Sequence, residues 1–388
     1  EGRYIEDRYV AFDEFPAEDI VTTVSNYRKV ITSFLARTPE LPYDTFDELR
    51  ANVHMGDPDA DDQALIDAWL DQNEGQLFDL QLAKAGENPN GPALVRAALS
   101  LDWPPKDNGW LRAELGSTAR VVMYEKNAYI LRRLPTDTLA QSVIALDGTP
   151  SIEMWRILLG EDTEQVSVHG DDSRRREYIR DGLGIRFIQT SLNIKPYASA
   201  YYLENQQDGD EYIDDDSTAR KDMLVFRWIA RQEADADQIG FISTQKAIDV
   251  YDKLGLDEIV NERGHYGNLK GSNEYEDIRA GIVAGCNAPS NQRVQMWGAF
   301  ADVSLKPKKG ENNKVLRGRR KSFGEYGDRV MAGLRENEVL QVAMRFARKP
   351  VQNQPVARVY LHTSALPEWV EPEQMILSPG LWEQTKGM

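Results

Sequence analysis

The chain has one cysteine, Cys286, in 388 residues, which excludes an intrachain disulfide, a cysteine-rich zinc site and an iron–sulfur set. No apolar run approaches the roughly 18–20 residues that cross a bilayer. The acidic opening Glu1-Gly2-Arg3-Tyr4-Ile5-Glu6-Asp7 is the opposite of a signal peptide. A soluble, untargeted protein of the reducing cytoplasm, with no membrane partner, is expected. Positive charge is scarce: 46 Lys and Arg face 63 Asp and Glu, a net charge of −17. That opposes general adhesion to nucleic acid and confines any such binding to a local track. The four histidines form neither a two-histidine metalloprotease helix nor a Cys/His metal spacing, and no Gly-x-Ser-x-Gly elbow occurs. No repeat of 20–50 residues is visible.

What is present is enough apolar material, 41% of residues, for two or three cored domains. Tyr9-Val10-Ala11-Phe12 reads as a strand running into Asp13-Glu14-Phe15-Pro16. Residues 17–115 read as an inserted helical module, from apolar spacings of three or four such as Ala64-Leu65-Ile66, Trp69-Leu70 and Leu77-Phe78. Strand character returns at Ala119–Tyr124 and at Ser142–Leu146, where Asp147-Gly148-Thr149-Pro150 turns into a helix capped by Ser151 or Thr149. Strands at 185–190, 239–244, 280–285 and 358–361 then alternate with helices at 218–234, 245–254 and 325–348. That alternation predicts an α/β fold, a mostly parallel sheet covered on both faces. Ligands of such sheets sit beyond the carboxyl ends of the strands.

Two stretches carry candidate chemistry. Asp13-Glu14 after an apolar strand fits a Walker B arrangement, one carboxylate holding Mg²⁺ through water and the other polarising the attacking water. Such pairs also arise by chance in so acidic a chain. Gln341, Arg345 and Arg348 fall at i, i+4 and i+7, one face of a continuous helix. Two guanidinium forks and an amide suit a polyphosphate; the plainer alternative is a solvated helix face.

Together these stretches resemble the superfamily 2 helicases, DEAD/DEAH-type and XPD-like, and more narrowly the helicase-like proteins of haloarchaea. The scattered acidity, as in Asp57-Pro58-Asp59-Ala60-Asp61-Asp62, is likewise similar to that of a salt-adapted proteome. Gln341-x-x-x-Arg345-x-x-Arg348 is similar to motif VI, with Met344 where the family usually has Gly. Asp13-Glu14-Phe15-Pro16 looks like motif II, Asp147-Gly148-Thr149-Pro150 like motif III, and Ile242-Ser243-Thr244 like motif IV. Gly271-Ser272-Asn273 with Ala280–Gly285 looks like motif V.

The resemblance implies RecA-like lobes: residues 1–16 and 116–180 as the remainder of a first lobe, 17–115 as the helical insertion, and 181–388 as a complete second lobe. It implies ATP and Mg²⁺ as cofactors, with Asp13 on the metal, Glu14 as general base, and Arg345 and Arg348 on the γ-phosphate. Gln341 would sense nucleotide, Asp147 and Thr149 would couple its state to the nucleic-acid track, and Ser243, Thr244, Ser272 and Asn273 would contact the nucleic-acid backbone. The expected partner is nucleic acid, single-stranded DNA foremost.

No Lys sits in Gly-x-x-x-x-Gly-Lys-Ser/Thr, so Walker A is missing from the chain. A separate N-terminal segment carrying it is an expected partner, and the chain alone should hydrolyse ATP hardly at all. The alternative is a non-catalytic nucleic-acid-binding or interaction module derived from a helicase. An unrelated α/β hydrolase gives the arginine pair no role.

A basic run, Lys306 to Lys321 with Arg317, Arg319 and Arg320, holds one acid, Glu311, and reads as a loop able to grip a phosphate backbone or simply to be solvated. Cys286 is expected to be a packed thiol, and Trp155 and Trp297 core residues. Trp103 and Trp110 are candidates for base stacking. His54 and His362 are expected to be polar fillers near surface turns.

Overall fold

The computed structural model describes residues 9–13, 22–25, 77–81, 118–124, 127–132, 142–147, 149–197, 204–207, 210–213, 217–269, 273–301, 303–310, 321–346 and 356–375. In chain order the early elements are strands β1 (Tyr9–Asp13), β2 (Thr22–Ser25), β3 (Leu77–Gln81), β4 (Thr118–Tyr124), β5 (Asn127–Arg132) and β6 (Ser142–Leu146), then helices α1 (Ile152–Leu159) and α2 (Asp172–Glu177). There follow β7 (Ile185–Gln189), the hairpin β8 (Glu204–Gln207) and β9 (Asp210–Ile213), α3 (Thr218–Gln232), β10 (Ile239–Ser243), α4 (Gln245–Asp252) and β11 (Glu262–His265). The last are β12 (Ala280–Ala284), α5 (Asn291–Phe300), α6 (Glu325–Ala343), β13 (Ala357–His362) and β14 (Glu373–Gln374).

The main body is a six-stranded, wholly parallel sheet in the order β11-β10-β12-β13-β7-β14. Counted along the chain, this is the order 3-2-4-5-1-6. β10 and β12 are buried at every residue, as parallel strands covered on both faces must be. Alternate residues feed two separate cores. Phe241, Ile282 and Tyr360 meet Phe226 and Ile229 of α3 and Tyr251 of α4 on one face. Ile242, Val283, Val359 and Leu361 meet Val339, Val342 and Phe346 on the other. The expected parallel sheet with helices on both faces is therefore what forms.

Local signals place the helices. Ser217, Thr244 and Ser290 each accept a bond from the backbone N–H three residues on, Arg220, Ala247 and Arg293, and so start α3, α4 and α5. Ser151 stands at the N-cap of α1 as expected, but its side chain caps nothing.

β1 and β6 form a separate parallel pair, with Asp13 opposite Leu146. α1 joins that pair to the helices of the large sheet. Its Trp155 and Leu158 pack with Phe12 and Ala145, while Met154 and Ile157 enter a core with Val294 and Trp297 of α5 and Val330 and Met331 of α6. Glu153 is tied to Arg329 of α6 at 3.1 Å. Gly333 lets the two helices meet closely: a Cβ there would lie 2.6 Å from Ser151 Oγ.

Three expectations change. Thr22–Ser25 and Leu77–Gln81, read as helical, are strands. With β4 and β5 they form an antiparallel sheet, β2-β5-β4-β3, so β4 does not extend a first-lobe parallel sheet. Short apolar runs with spacings of three do not separate helix from strand; the cross-strand partners do. The remainder of 17–115, including His54, Trp103 and Trp110, lies outside the described residues. The helix expected through residue 348 ends at Ala343. There the chain turns so that the Phe346 ring seats over Gly240 and Gly281, which are paired across β10 and β12.

Candidate functional site

The carboxyl ends of β7 and β13 open onto a buried polar cluster centred on Asp222, which projects from α3 between Ala219 and Phe226. Asp222 is 3% exposed and its carboxylate meets four side chains. At Oδ1 it accepts from Lys195 Nζ at 2.5 Å and from His362 Nε2 at 2.9 Å. At Oδ2 it accepts from Tyr197 Oη at 2.8 Å and lies 2.9 Å from Tyr251 Oη. The two tyrosine oxygens are 2.8 Å apart. Because His362 Nε2 faces an anion it carries the hydrogen, leaving Nδ1 to accept from Thr190 Oγ1 at 2.9 Å. Phe226 packs edge-on to the imidazole.

Burial alone would raise the Asp222 carboxyl, but His362 and Lys195 beside it hold it below the usual carboxylate range. Burial pushes the His362 imidazole below its ordinary value, against the opposing pull of Asp222. One cation on one anion thus neutralises the cluster, with His362 uncharged. Both folded-state values are depressed, so the stabilisation is complete above the ordinary imidazole value of 6.5 and declines as pH falls below it. Asp222 adds a second loss as pH falls below its ordinary 3.8. The melting temperature is expected to fall on acidification through that first range, and to fall less in His362→Gln, as scanning calorimetry at stepped pH would record.

The cluster anchors the segment 191–197, which crosses the carboxyl ends of β13 and β12. Ser364 N–H donates to Asn193 O at 2.9 Å, Thr363 Oγ1 to Ile194 O at 2.6 Å and Cys286 N–H to Lys195 O at 3.1 Å. Lys195 adopts a positive φ of 50°, a conformation that costs about 1 kcal/mol or more outside glycine. Gly285 also takes a positive φ, 69°, and has no room for a Cβ against the Tyr197 ring. The Cys286 thiol is buried under this segment, donates to Ile194 O at 3.4 Å, and is pushed up to about 12 by burial. It is the packed thiol expected of it. His362 is not the surface filler expected: it ends a buried strand inside the cluster, because β13 is covered on both faces.

The motif-like residues are placed as follows. Asp13 ends β1, and Asp147 follows β6, so the parallel register brings both to one end of the pair. The Asp147 carboxylate accepts from Thr149 N–H at 2.8 Å and from Trp155 Nε1 at 3.0 Å, fixing the turn into α1, and Thr149 is buried. Ser243 is fully buried and donates to Ala284 O at 2.7 Å, so its hydroxyl is used within the sheet. Thr244 caps α4. Asn273 is exposed. Gln341 lies in the last turn of α6, and Arg345, buried, lies beyond the helix end, so the two do not share one continuous helical face. Glu14, Ser272, Arg317, Arg319, Arg320 and Arg348 lie outside the described residues.

The neck of the basic run is described. Lys308 N–H donates to Ser322 O at 2.8 Å. Lys321 Nζ donates to Pro289 O at 2.7 Å, and burial lowers its pKa to about 8. Lys321 is thus a peg at the base of the run rather than part of its solvated surface.

Asp222, Lys195, Tyr197 and Tyr251 carry no motif that would single them out in the sequence. One signal is available: Asp222 shares the apolar stripe of α3 with Phe226 and Ile229, at i+4 and i+7.

No protein-family model matches the chain, and no curated protein matches it in sequence. Among solved structures an XPD helicase is similar over 95% of this chain and 68% of its own, at 9% identity and a TM-score of 0.41. A likeness that low carries no argument about chemistry. Among the described residues there is no group of three or more His, Cys, Asp or Glu placed to hold a metal ion. No described helix is long and apolar enough to cross a membrane.

Proposed function

We propose that this chain is part of a helicase-type, nucleic-acid-dependent ATPase, with the six-stranded sheet as its second RecA-like lobe. The observation that carries the reading is the parallel pairing of β1 with β6. It brings Asp13 and the Asp147 turn to the same end of adjacent strands, the arrangement that a metal-holding carboxylate and a nucleotide-coupled turn require. Asp13 is the Mg²⁺ ligand in this reading. One carboxylate suffices because Mg²⁺ keeps several waters and takes further oxygens from nucleotide phosphates. Glu14 is the general base, and Gln341 and Arg348 face the triphosphate from the second lobe, with Arg345, buried beyond the helix end, reaching it only if the lobes' closure exposes its guanidinium group. Bound ATP would supply the phosphoanhydride whose hydrolysis drives movement along nucleic acid. Thr149 and Asp147 act through α1, which is wedged between the β1–β6 pair and α6. Thr244, Asn273 and the basic run with Arg317, Arg319 and Arg320 form the nucleic-acid track, single-stranded DNA being the leading partner. The second reading is a binding module without ATP turnover; it is favoured by the absence of Walker A from these 388 residues.

Fluorescence anisotropy with single-stranded DNA, titrated from about 0.1 M to about 1 M KCl, tests the track. Replacing Arg317, Arg319 and Arg320 by Ala is expected to lower the slope of log K against log salt by about 2, from roughly 0.7 for each phosphate no longer neutralised. Affinity indifferent to ATP with Mg²⁺ favours the binding module; affinity that responds favours the motor. Absence of binding by the folded chain at every salt concentration overturns the track.

A further inference from the structure

Lys195 and His362 bind the same oxygen of Asp222, at 2.5 and 2.9 Å, yet they belong to different parts of the fold. His362 ends β13, in the middle of the parallel sheet. Lys195 sits on the crossing segment 191–197, at a positive φ of 50° that disfavours a non-glycine residue, and its ammonium group ties the segment to Asp222. Beneath that segment lies Cys286, the one cysteine in the chain, 0% exposed and bonded through both N–H and thiol to the carbonyls of Lys195 and Ile194.

We propose that this is an acid-released latch. Protonation of His362 puts a second cation on Asp222 Oδ1, His362 takes over as counterion, and Lys195 leaves with its segment. The carboxyl ends of β12 and β13, and Cys286 with them, are then uncovered. The exchange is a proton uptake and a swap of ion-pair partners, with no covalent step.

The groups facing His362 are consistent with this direction. From α3 it meets Asp222, from the residue after β7 Thr190, and beside it on the same Asp222 oxygen lies Lys195 of the crossing segment. Tyr197 and, from α4, Tyr251 complete the Asp222 shell. Among these only Asp222 carries negative charge, so a second positive charge has one place to go. Tyr251, from α4, stays on Oδ2 in either state, while Tyr197 leaves Oδ2 with the segment that carries it. Lys195 departs rather than His362 because a loop residue in a strained backbone leaves at lower cost than a residue hydrogen-bonded into a central strand. The crevice so opened lies where ligands of parallel α/β sheets bind, and in the closed state the chain's own segment fills it.

The single thiol reports the opening. The full chain is labelled at Cys286 with a thiol-reactive disulfide reagent at stepped pH. Each rate is normalised to the same chain unfolded in denaturant, which cancels the reagent's own pH dependence. Circular dichroism follows the fold in parallel. From about pH 7.5 down to about pH 5, the normalised rate is expected to rise about tenfold per pH unit below the ordinary imidazole range, with the helical signal intact. His362→Gln, which keeps a donor to Asp222 but cannot be protonated, labels slowly throughout. Lys195→Met, which removes the anchor, labels fast at both ends of the range. A normalised wild-type rate that is flat with pH overturns the latch. So does a rate that rises only together with loss of the helical signal, or one that rises equally in His362→Gln.

Discussion

Asp222→Asn is expected to lower the unfolding free energy by about 3–5 kcal/mol, the cost of leaving one partner of a buried ion pair without the other. The amide keeps the shape of the carboxylate, so the loss is electrostatic rather than one of packing. Lys195, 6% exposed, would keep its ammonium group in the interior with no anion beside it. The amide would also present a donor where the tyrosine hydroxyls now donate. Removing both charges, with Asp222→Asn and Lys195→Met together, should recover much of the loss, because a buried pair replaced as a unit is close to neutral. Lys195→Met alone should cost less than Asp222→Asn, since His362 can protonate and take the vacated position. Urea unfolding of the four chains, analysed as a double-mutant cycle, measures the coupling. Additive losses would mean that the pair does not act as one.

Phe346→Ala is expected to cost about 3–5 kcal/mol, as for a fully buried aromatic ring whose cavity cannot collapse. The ring is seated in a pit made by two glycines in register on adjacent strands, Gly240 and Gly281. A Cβ on Gly281 would lie 2.7 Å from three of its ring atoms, and Tyr275 closes the side, 5.4 Å away and edge-on. Gly281→Ala should therefore destabilise by about 1–3 kcal/mol through overpacking. Combined with Phe346→Leu it should cost less than the sum of the single changes, because the smaller side chain makes room for the added methyl. The same seat fixes the turn after α6 and with it the position of Arg345. Unfolding curves for the single and double variants decide this; equal and additive losses would show that ring and pit are independent.

The second half of the chain was legible because its parallel strands are buried on both faces. Ile239–Ser243 and Ala280–Ala284 are continuous apolar runs bounded by turn and cap residues, and they could form little else. The helices at 218–234 and 245–254 were legible from their alternation with those strands, and the structure adds Ser217 and Thr244 as their caps. Residues 17–115 were less legible, since four- and five-residue strands such as Thr22–Ser25 and Leu77–Gln81 acquire their identity from antiparallel partners distant in sequence. The end of α6 was misplaced for a similar reason. Helical spacing continues through Arg348, but burial of Phe346 in the glycine pit outweighs the last turn of helix.

The candidate site divides in the same way. Asp13, Asp147 and the arginines at 345 and 348 were visible as residue types in order along the chain, because each follows a run with a clear period. His362, by contrast, reads as an unremarkable polar residue at the end of a strand. Its role depends on Lys195 and Asp222, 167 and 140 residues away, and no local pattern encodes a contact at that separation. The sequence alone determined an acidic chain with an α/β alternation and no intrachain disulfide or Walker A loop within these residues, since composition, period and motif are properties of neighbours in the chain. Only the tertiary structure decided which strands pair, where α6 stops, and that one carboxylate oxygen is shared by a lysine and a histidine. Those depend on packing and desolvation among residues brought together from separate elements.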